Sequence, residues 1–146
     1  MINIRLAKVE DVEHIAQLMN QLGYPVDKDT LTARFNLFIS QDGYDIAVTT
    51  DLNDIAVGWV AWSKSMLFVS DKTQIHIEGL VVDENCRGQN IGKLSMSFVE
   101  DYAKKFAPYL TSGTRRAEGG SHKFYSNLGY GNAGHMAKTY FRKEIP

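Results

Sequence analysis

The sequence predicts a mixed α/β (α+β) protein, a single β-sheet with helices against its faces. Three observations carry this. Strand-like runs of period two and helix-like runs of period 3.6 succeed one another in the order β-α-α-β-β-β-α-β-α-β. The composition, 44% hydrophobic and 23% charged, is that of a globular chain. A polar, glycine-bearing loop runs from a strand-like segment straight into a helical one. A length of 146 residues provides one core, so one domain is expected over residues 1–146.

Each element follows from its local pattern. Met1 to Leu6 alternates, with Ile2, Ile4 and Leu6 on one face, and reads as a short strand. Val12, Ile15, Met19 and Leu22 have helical spacing, which Gly23 and Pro25 end. Asp27 or Asp29 caps a second helix with Leu31, Phe35, Phe38 and Ile39 on its apolar face. Tyr44 to Thr49 and Ile55 to Ser63 are rich in Val, Ile and Trp. The turn residues Asp51-Leu52-Asn53-Asp54 join them into an antiparallel hairpin. A further strand spans Gln74 to Val82, and Glu84 to Gly92 leads into a helix with Ile91, Leu94, Phe98 and Tyr102 on one side. Pro108 ends that region, Tyr109 to Thr111 forms a brief strand, Ser121 to Leu128 a short helix closed by Gly129, and Met136 to Arg142 a last strand.

Composition excludes several functions. A net charge of −1 carries no basic excess to draw nucleic acid phosphates. No segment approaches the ~20 apolar residues that span a bilayer. The first residues, MINIRLAKVEDVEHI, lack the apolar stretch of a secretory signal. Cys86 is the only cysteine, so no intrachain disulfide forms and a cytoplasmic location is expected. His14, His76, His122 and His135 are far apart, and no metal is expected.

The chemistry concentrates in Ile77-Glu78-Gly79-Leu80-Val81-Val82-Asp83-Glu84-Asn85-Cys86-Arg87-Gly88-Gln89-Asn90-Ile91-Gly92-Lys93. Unpaired N–H groups and the dipole at a helix start make an anion site suited to a pyrophosphate. Arg87 and Lys93 add full charges. Three residues separate Gly88 from Gly92, and Leu94 follows Lys93, so this is not a P-loop; the dinucleotide pattern G-x-G-x-x-G is absent too.

Arg87-Gly88-Gln89-Asn90-Ile91-Gly92 resembles the acetyl-CoA pyrophosphate loop of the GNAT superfamily, Arg/Gln-x-x-Gly-x-Gly/Ala, with Asn90 in place of the first glycine. Asn tolerates positive φ best among non-glycine residues, so positive φ is expected there. About thirty positions on, Ser121-His122-Lys123-Phe124-Tyr125-Ser126-Asn127-Leu128-Gly129-Tyr130 resembles that family's Ala-x-x-Phe-Tyr-x-x-x-Gly-Phe/Tyr pattern, with Ser121 replacing Ala. The resemblance implies the GNAT fold, a mostly antiparallel central sheet of about six to seven strands flanked by about four helices. It also implies acetyl transfer from acetyl-CoA (coenzyme A) to a primary amine, on a small molecule or a protein, with homodimers common; from charge and hydropathy, no nucleic acid or membrane partner is expected.

The implied cofactor-binding residues are Leu80, Val81 and Val82 along the pantetheine arm, Arg87, Gly88, Gln89, Asn90, Ile91, Gly92 and Lys93 around the pyrophosphate, and Phe124 and Tyr125. An alkyl amine with pKa near ~10.4 costs roughly 4–5 kcal/mol to deprotonate at pH 7, so a base is needed. Glu78 is the candidate, a carboxylate inside an apolar strand where burial is costly unless it is used or paired. Its alternative is a wet edge or an arginine partner, and His76 is the reserve base. Gly79 beside it marks a bulge or a close backbone approach. Tyr125 is the candidate acid for the departing thiolate, a role compatible with packing one ring face. Arg115 and Arg116 read as solvated and Cys86 as inert. Tyr24, Phe35, Phe38, Trp59 and Trp62 line a pocket or, for most of them, form core. A non-catalytic CoA-binding sensor or interaction module is the competing class.

Overall fold

The hairpin read from the Asp51–Asp54 turn lies at the centre of the sheet. The computed structural model describes residues 2–106, 108–111, 120–131 and 143–146. The chain divides into two compact units, 1–113 and 114–146. In the first unit the elements are β1 (Asn3–Leu6), α1 (Val12–Leu22), α2 (Lys28–Ser40), β2 (Asp45–Thr50), β3 (Ala56–Met66), β4 (Thr73–Val82), α3 (Ile91–Ala103) and β5 (Pro108–Thr111). The second contains α4 (Gly120–Asn127). Strand order is β1-β2-β3-β4-β5; the first three pairings are antiparallel and β4–β5 is parallel. This is the expected mixed, mostly antiparallel sheet. Its described part has five strands; the segment expected as a last strand, Met136 to Arg142, lies outside the described residues, as do Arg115 and Arg116.

Local chemistry places each element. Asp51 Oδ1 accepts from Asn53 N at 2.8 Å and Ile55 N at 3.0 Å, and Asp54 takes a φ of 59°, closing the hairpin. Asp27, not Asp29, caps α2, accepting from Thr30 N at 2.8 Å and Thr30 Oγ1 at 2.7 Å. Gly23 ends α1 with a left-handed φ of 93°.

Alternation along β2 and β3 builds two cores. Ile46, Val48, Trp59 and Ala61 face the cluster that includes Val12, Ile15, Leu18, Leu31 and Phe35. Trp62 points to the opposite face, where it packs on Phe98 at 6.2 Å and Tyr102 at 5.1 Å between ring centroids. Trp59, Trp62 and Phe35 are therefore core, whereas Tyr24 is exposed and Phe38 half-buried. The helix faces shift from the expected stripes. In α1, Ala16 and Leu18 are buried in place of Leu22, which is exposed on the last turn of the helix. Ile39 near the end of α2 is exposed as well. In α3 the deepest residues are Ile91, Ser95, Met96, Val99 and Ala103, with Leu94, Phe98 and Tyr102 half-buried; small Ser95 and Ala103 let the helix sit close, which widens its buried face.

A charged clamp ties β1 to the start of α1. Asp11, 6% exposed, takes two bonds from Arg5, 2.8 Å from Nη1 and 3.0 Å from Nη2, and a third from Lys8 N at 2.7 Å. Arg5 also bonds Asp54 at 3.0 Å in the hairpin turn. Burial works against the Asp11 charge, yet the bonds from Arg5 and Lys8 outweigh it and hold the carboxyl below its ordinary value of 3.8. A folded-state pKa below the unfolded one gives stability that is present above about pH 4 and is lost as pH falls through the folded value. Urea denaturation should therefore show stability falling on acidification below about pH 4, with Asp11→Asn less stable at neutral pH by on the order of 2 kcal/mol and flatter across that window. Equal acid sensitivity in both proteins would contradict the clamp.

Candidate functional site

Glu78 owes its position to a slip in the β3–β4 ladder. Gly58 to Ala61 pair with Val82 to Gly79 in one register, but Trp62 pairs with Ile77. Had the register continued, Glu78 would lie opposite Trp62, which is fully buried against Phe98 and Tyr102. A carboxylate there would lose its hydration with no cation to replace it. The β-bulge makes Glu78 the extra residue and turns it out of that core. Its Oε1 accepts from Ser63 Oγ at 2.6 Å. Ser63 is two residues from Ala61, so this carboxylate lies on the face of α1 and α2. The expected burial is thus corrected: Glu78 is exposed, and its partner is a serine instead of an arginine. His76 pairs with Ser63 across the ladder and is half-buried.

Gly79 meets both of its expected alternatives. It adjoins the bulge, and a Cβ built on it would lie 2.7 Å from Cη2 and 2.8 Å from Cζ3 of Trp59. The rigid indole allows only glycine at that distance, and its contact seats the strand beside the bulge.

The same register sets the direction of the backbone groups that follow. Asp83 N donates to Val57 O at 2.8 Å, so Asp83, Val81 and Gly79 spend their ladder groups on β3. Leu80 and Val82, one residue out of phase, turn their N–H and C=O away from β3. On that other side β5 pairs with β4 only from Thr73 to His76 among the described residues.

β4 leads directly into the polar, glycine-bearing loop. Asp83 Oδ1 accepts from Asn85 N at 2.9 Å and Asp83 O from Cys86 N at 2.8 Å, folding Glu84–Cys86 into a short 3₁₀ turn. Glu84 N donates to Gln21 Oε1 at 2.9 Å, which fastens the turn to α1. Gly88 has a φ of 84° and Asn90 a φ of 61°, the left-handed geometry expected at Asn90. Asn90 makes no side-chain cap bond and α3 has no acid in its first turn, so its leading N–H groups face outward without a competing carboxylate. Arg87, Gly88, Gln89, Asn90 and Lys93 are exposed, while Ile91 is buried and anchors the helix. Burial, with Asp83 and Asp51 nearby, pushes the Cys86 thiol above its ordinary value, which suits an inert cysteine.

In the second unit, Phe124 and Tyr125 meet edge to face at 5.0 Å and Tyr125 meets Tyr130 at 6.0 Å between centroids. Gly129, at a φ of 89°, lets Tyr130 N return to Tyr125 O at 3.1 Å. Both Phe124 and Tyr125 are half-buried. Among the described residues no group of three His, Cys, Asp or Glu is placed to hold a metal, and no helix is long and apolar enough to cross a membrane.

Sequence reasoning missed Ser63 and Gln21. Neither has a local signal, since a single serine in a strand and a glutamine near a helix end become informative only through partners 15 and 63 positions away. For Asn90 the signal was local, and its geometry yields a stability test. Asn90→Gly should unfold at nearly the same temperature, whereas Asn90→Val, a β-branched residue forced into the left-handed region, should lose about 1–2 kcal/mol. Equal melting of the parent and the valine variant would refute the left-handed loop.

Comparison with known proteins adds the family. No curated protein sequence matches the chain. Among solved structures, glucosamine-6-phosphate N-acetyltransferase from Arabidopsis thaliana is similar at a TM-score of 0.80, with 22% identity over 100% of this chain and 99% of that one. An aminoglycoside antibiotic 6'-N-acetyltransferase from Acinetobacter baumannii is similar at 0.82, with 20% identity over 100% of both chains. AAC(6')-Iy, solved in complex with the bisubstrate analog CoA-S-monomethyl-acetylneamine, is similar at 0.82, with 19% identity over 99% of both. At these identities the likeness speaks for the fold. The sequence itself matches the Acetyltransferase (GNAT) family over residues 9–130, a span holding β4, the loop and α4, and the chain therefore belongs to that family of acetyl-CoA-dependent N-acetyltransferases.

Proposed function

We propose that this protein transfers the acetyl group of acetyl-CoA to a primary amine by direct attack, with residues 1–146 acting as one domain. The observation that carries the reading is the bulge that brings Glu78 out of the Trp62 core, on the strand that runs on into the Asn90 loop. Along that strand, the outward backbone groups of Leu80 and Val82 would pair with the amides of the pantetheine arm, while Val81 holds the strand to β3. The pyrophosphate would meet the N–H groups from Arg87 through Gly88, Gln89, Asn90, Ile91, Gly92 and Lys93, with Arg87 and Lys93 adding charge. Phe124 and Tyr125 complete the proposed acetyl-CoA contacts.

Glu78 is the general base in this reading, taking the ammonium proton directly or through water so that the neutral amine attacks the thioester carbonyl. Collapse of the tetrahedral species expels CoA thiolate, which Tyr125 protonates, while the attacking nitrogen loses its second proton to solvent and solvent restores the phenol. A phenol of pKa near ~10 is protonated at pH 7, and a thiol of pKa near ~8.5 leaves passably unaided, so the acid contributes less than the base. The acceptor is an amine on a small molecule or a protein, and the reducing cytoplasm suits the single Cys86.

The test is thiol release from acetyl-CoA with a panel of glucosamine, spermidine, tyramine and a lysine-containing peptide. Turnover that requires an amine identifies an enzyme; CoA binding in calorimetry without turnover by any acceptor favours the sensor reading. Glu78→Gln should lower kcat/KM by about 10²–10⁴-fold. Tyr125→Phe should lower kcat by roughly 10- to 10³-fold with KM for acetyl-CoA little changed. A Tyr125→Phe enzyme that loses melting temperature but not turnover would leave Tyr125 as packing only.

A further inference from the structure

The bond between Ser63 and Glu78 has more to do than fill a ladder vacancy. Ser63 is 7% exposed, and a buried hydroxyl must find an acceptor. The backbone of Ser63 lies within the ladder, where Trp62, Ser63 and Lys64 pair in register with Ile77, His76 and Ile75. The hydroxyl reaches diagonally instead, past that register, to the one residue the bulge leaves out. The 2.6 Å separation is that of a hydroxyl on a charged oxygen. It occupies Oε1 alone, and Oε2 has no partner among the described residues.

We infer that Ser63 is a positioning residue for the reaction: it fixes the rotamer of Glu78 so that Oε2 stays aimed outward on the face of α1 and α2, ready to receive a proton from the incoming amine. This rests on the reading of Glu78 as base. An exposed glutamate otherwise samples several rotamers about χ1 and χ2, and a base serves only from the aligned one. The bulge and the serine therefore divide the task. The bulge chooses the face on which the carboxylate emerges, and the hydroxyl chooses its direction. No proton leaves Ser63, which donates throughout.

The experiment uses the full chain as parent, Ser63→Ala, Ser63→Thr, Glu78→Gln and the Ser63→Ala/Glu78→Gln double variant, with acetyl-CoA and the fastest amine of the panel above. Ser63→Ala should lower kcat by roughly 5- to 50-fold, in line with the loss of one aligned rotamer, while KM for acetyl-CoA and the melting temperature hold. Ser63→Thr, which keeps the hydroxyl, should recover most of the rate. In the Glu78→Gln background, Ser63→Ala should add little further loss. Without any substrate, NMR couplings across χ1 of Glu78 should report one rotamer in the parent and an average in Ser63→Ala. A slow Glu78→Gln beside a full-rate Ser63→Ala overturns this inference alone, as does the same χ1 averaging in both proteins or an undiminished Ser63→Ala loss in the double variant. A full-rate Glu78→Gln overturns the base reading and this inference together.

Discussion

The slip of register between β3 and β4 is the constraint on which the rest of the site depends. On one side of it, Gly58 to Ala61 pair with Val82 to Gly79; on the other, Trp62 pairs with Ile77. Two bulky facts hold it in place. The Trp62 ring fills the core under α3 and leaves no hydrated room for a charge, while the Trp59 ring lies so near Gly79 that no side chain fits there. A carboxylate and a missing side chain at consecutive positions, 78 and 79, are what the two tryptophans require of β4. Shifting the slip by one residue would bury a charge or press a Cβ into an indole, either costing more than a typical single substitution.

Everything downstream inherits this register. Alternation beyond the bulge assigns Val81 to the ladder and turns the polar groups of Leu80 and Val82 the other way. The strand then passes through the Asp83 turn, fastened to α1 by Gln21, into two left-handed residues that swing the chain into α3. In the proposed reading, a strand edge that can pair with amides, followed by a helix start free of carboxylates, would receive a long amide-bearing chain that ends in a pyrophosphate. Most of those proposed contacts would fall to the backbone, with Arg87 and Lys93 adding charge.

The sequence made the elements legible where the signal was local. The Asp51–Asp54 turn, a cap at Asp27 or Asp29, the Gly23 stop and the left-handed Asn90 all follow from a residue and its nearest neighbours. Gly79 was legible as an anomaly, bulge or close approach, and proved to be both. The environment of Glu78 was not. An apolar strand argued for burial, but a bulge moves a side chain between faces without leaving any mark in the alternation, and its cause lies in Trp62, far off in sequence. The helix stripes drifted for a related reason, since periodicity finds an apolar face but only packing decides which of its residues are covered: Leu18 is inside and Leu22 outside. Ser63 acquires meaning only once the strands are laid side by side.

The central claim is that β4 beyond the bulge is a strand edge kept for acetyl-CoA. Amide hydrogen exchange resolved by residue tests it most directly. In the free protein Val81, bonded into the ladder, should exchange slowly, and Leu80 and Val82 faster. Saturating CoA should slow Leu80 and Val82 selectively and leave Val81 nearly as it was. Unchanged exchange at Leu80 and Val82, with CoA binding established by calorimetry in the same sample, would contradict the account, because the cofactor would then be held somewhere other than along this strand.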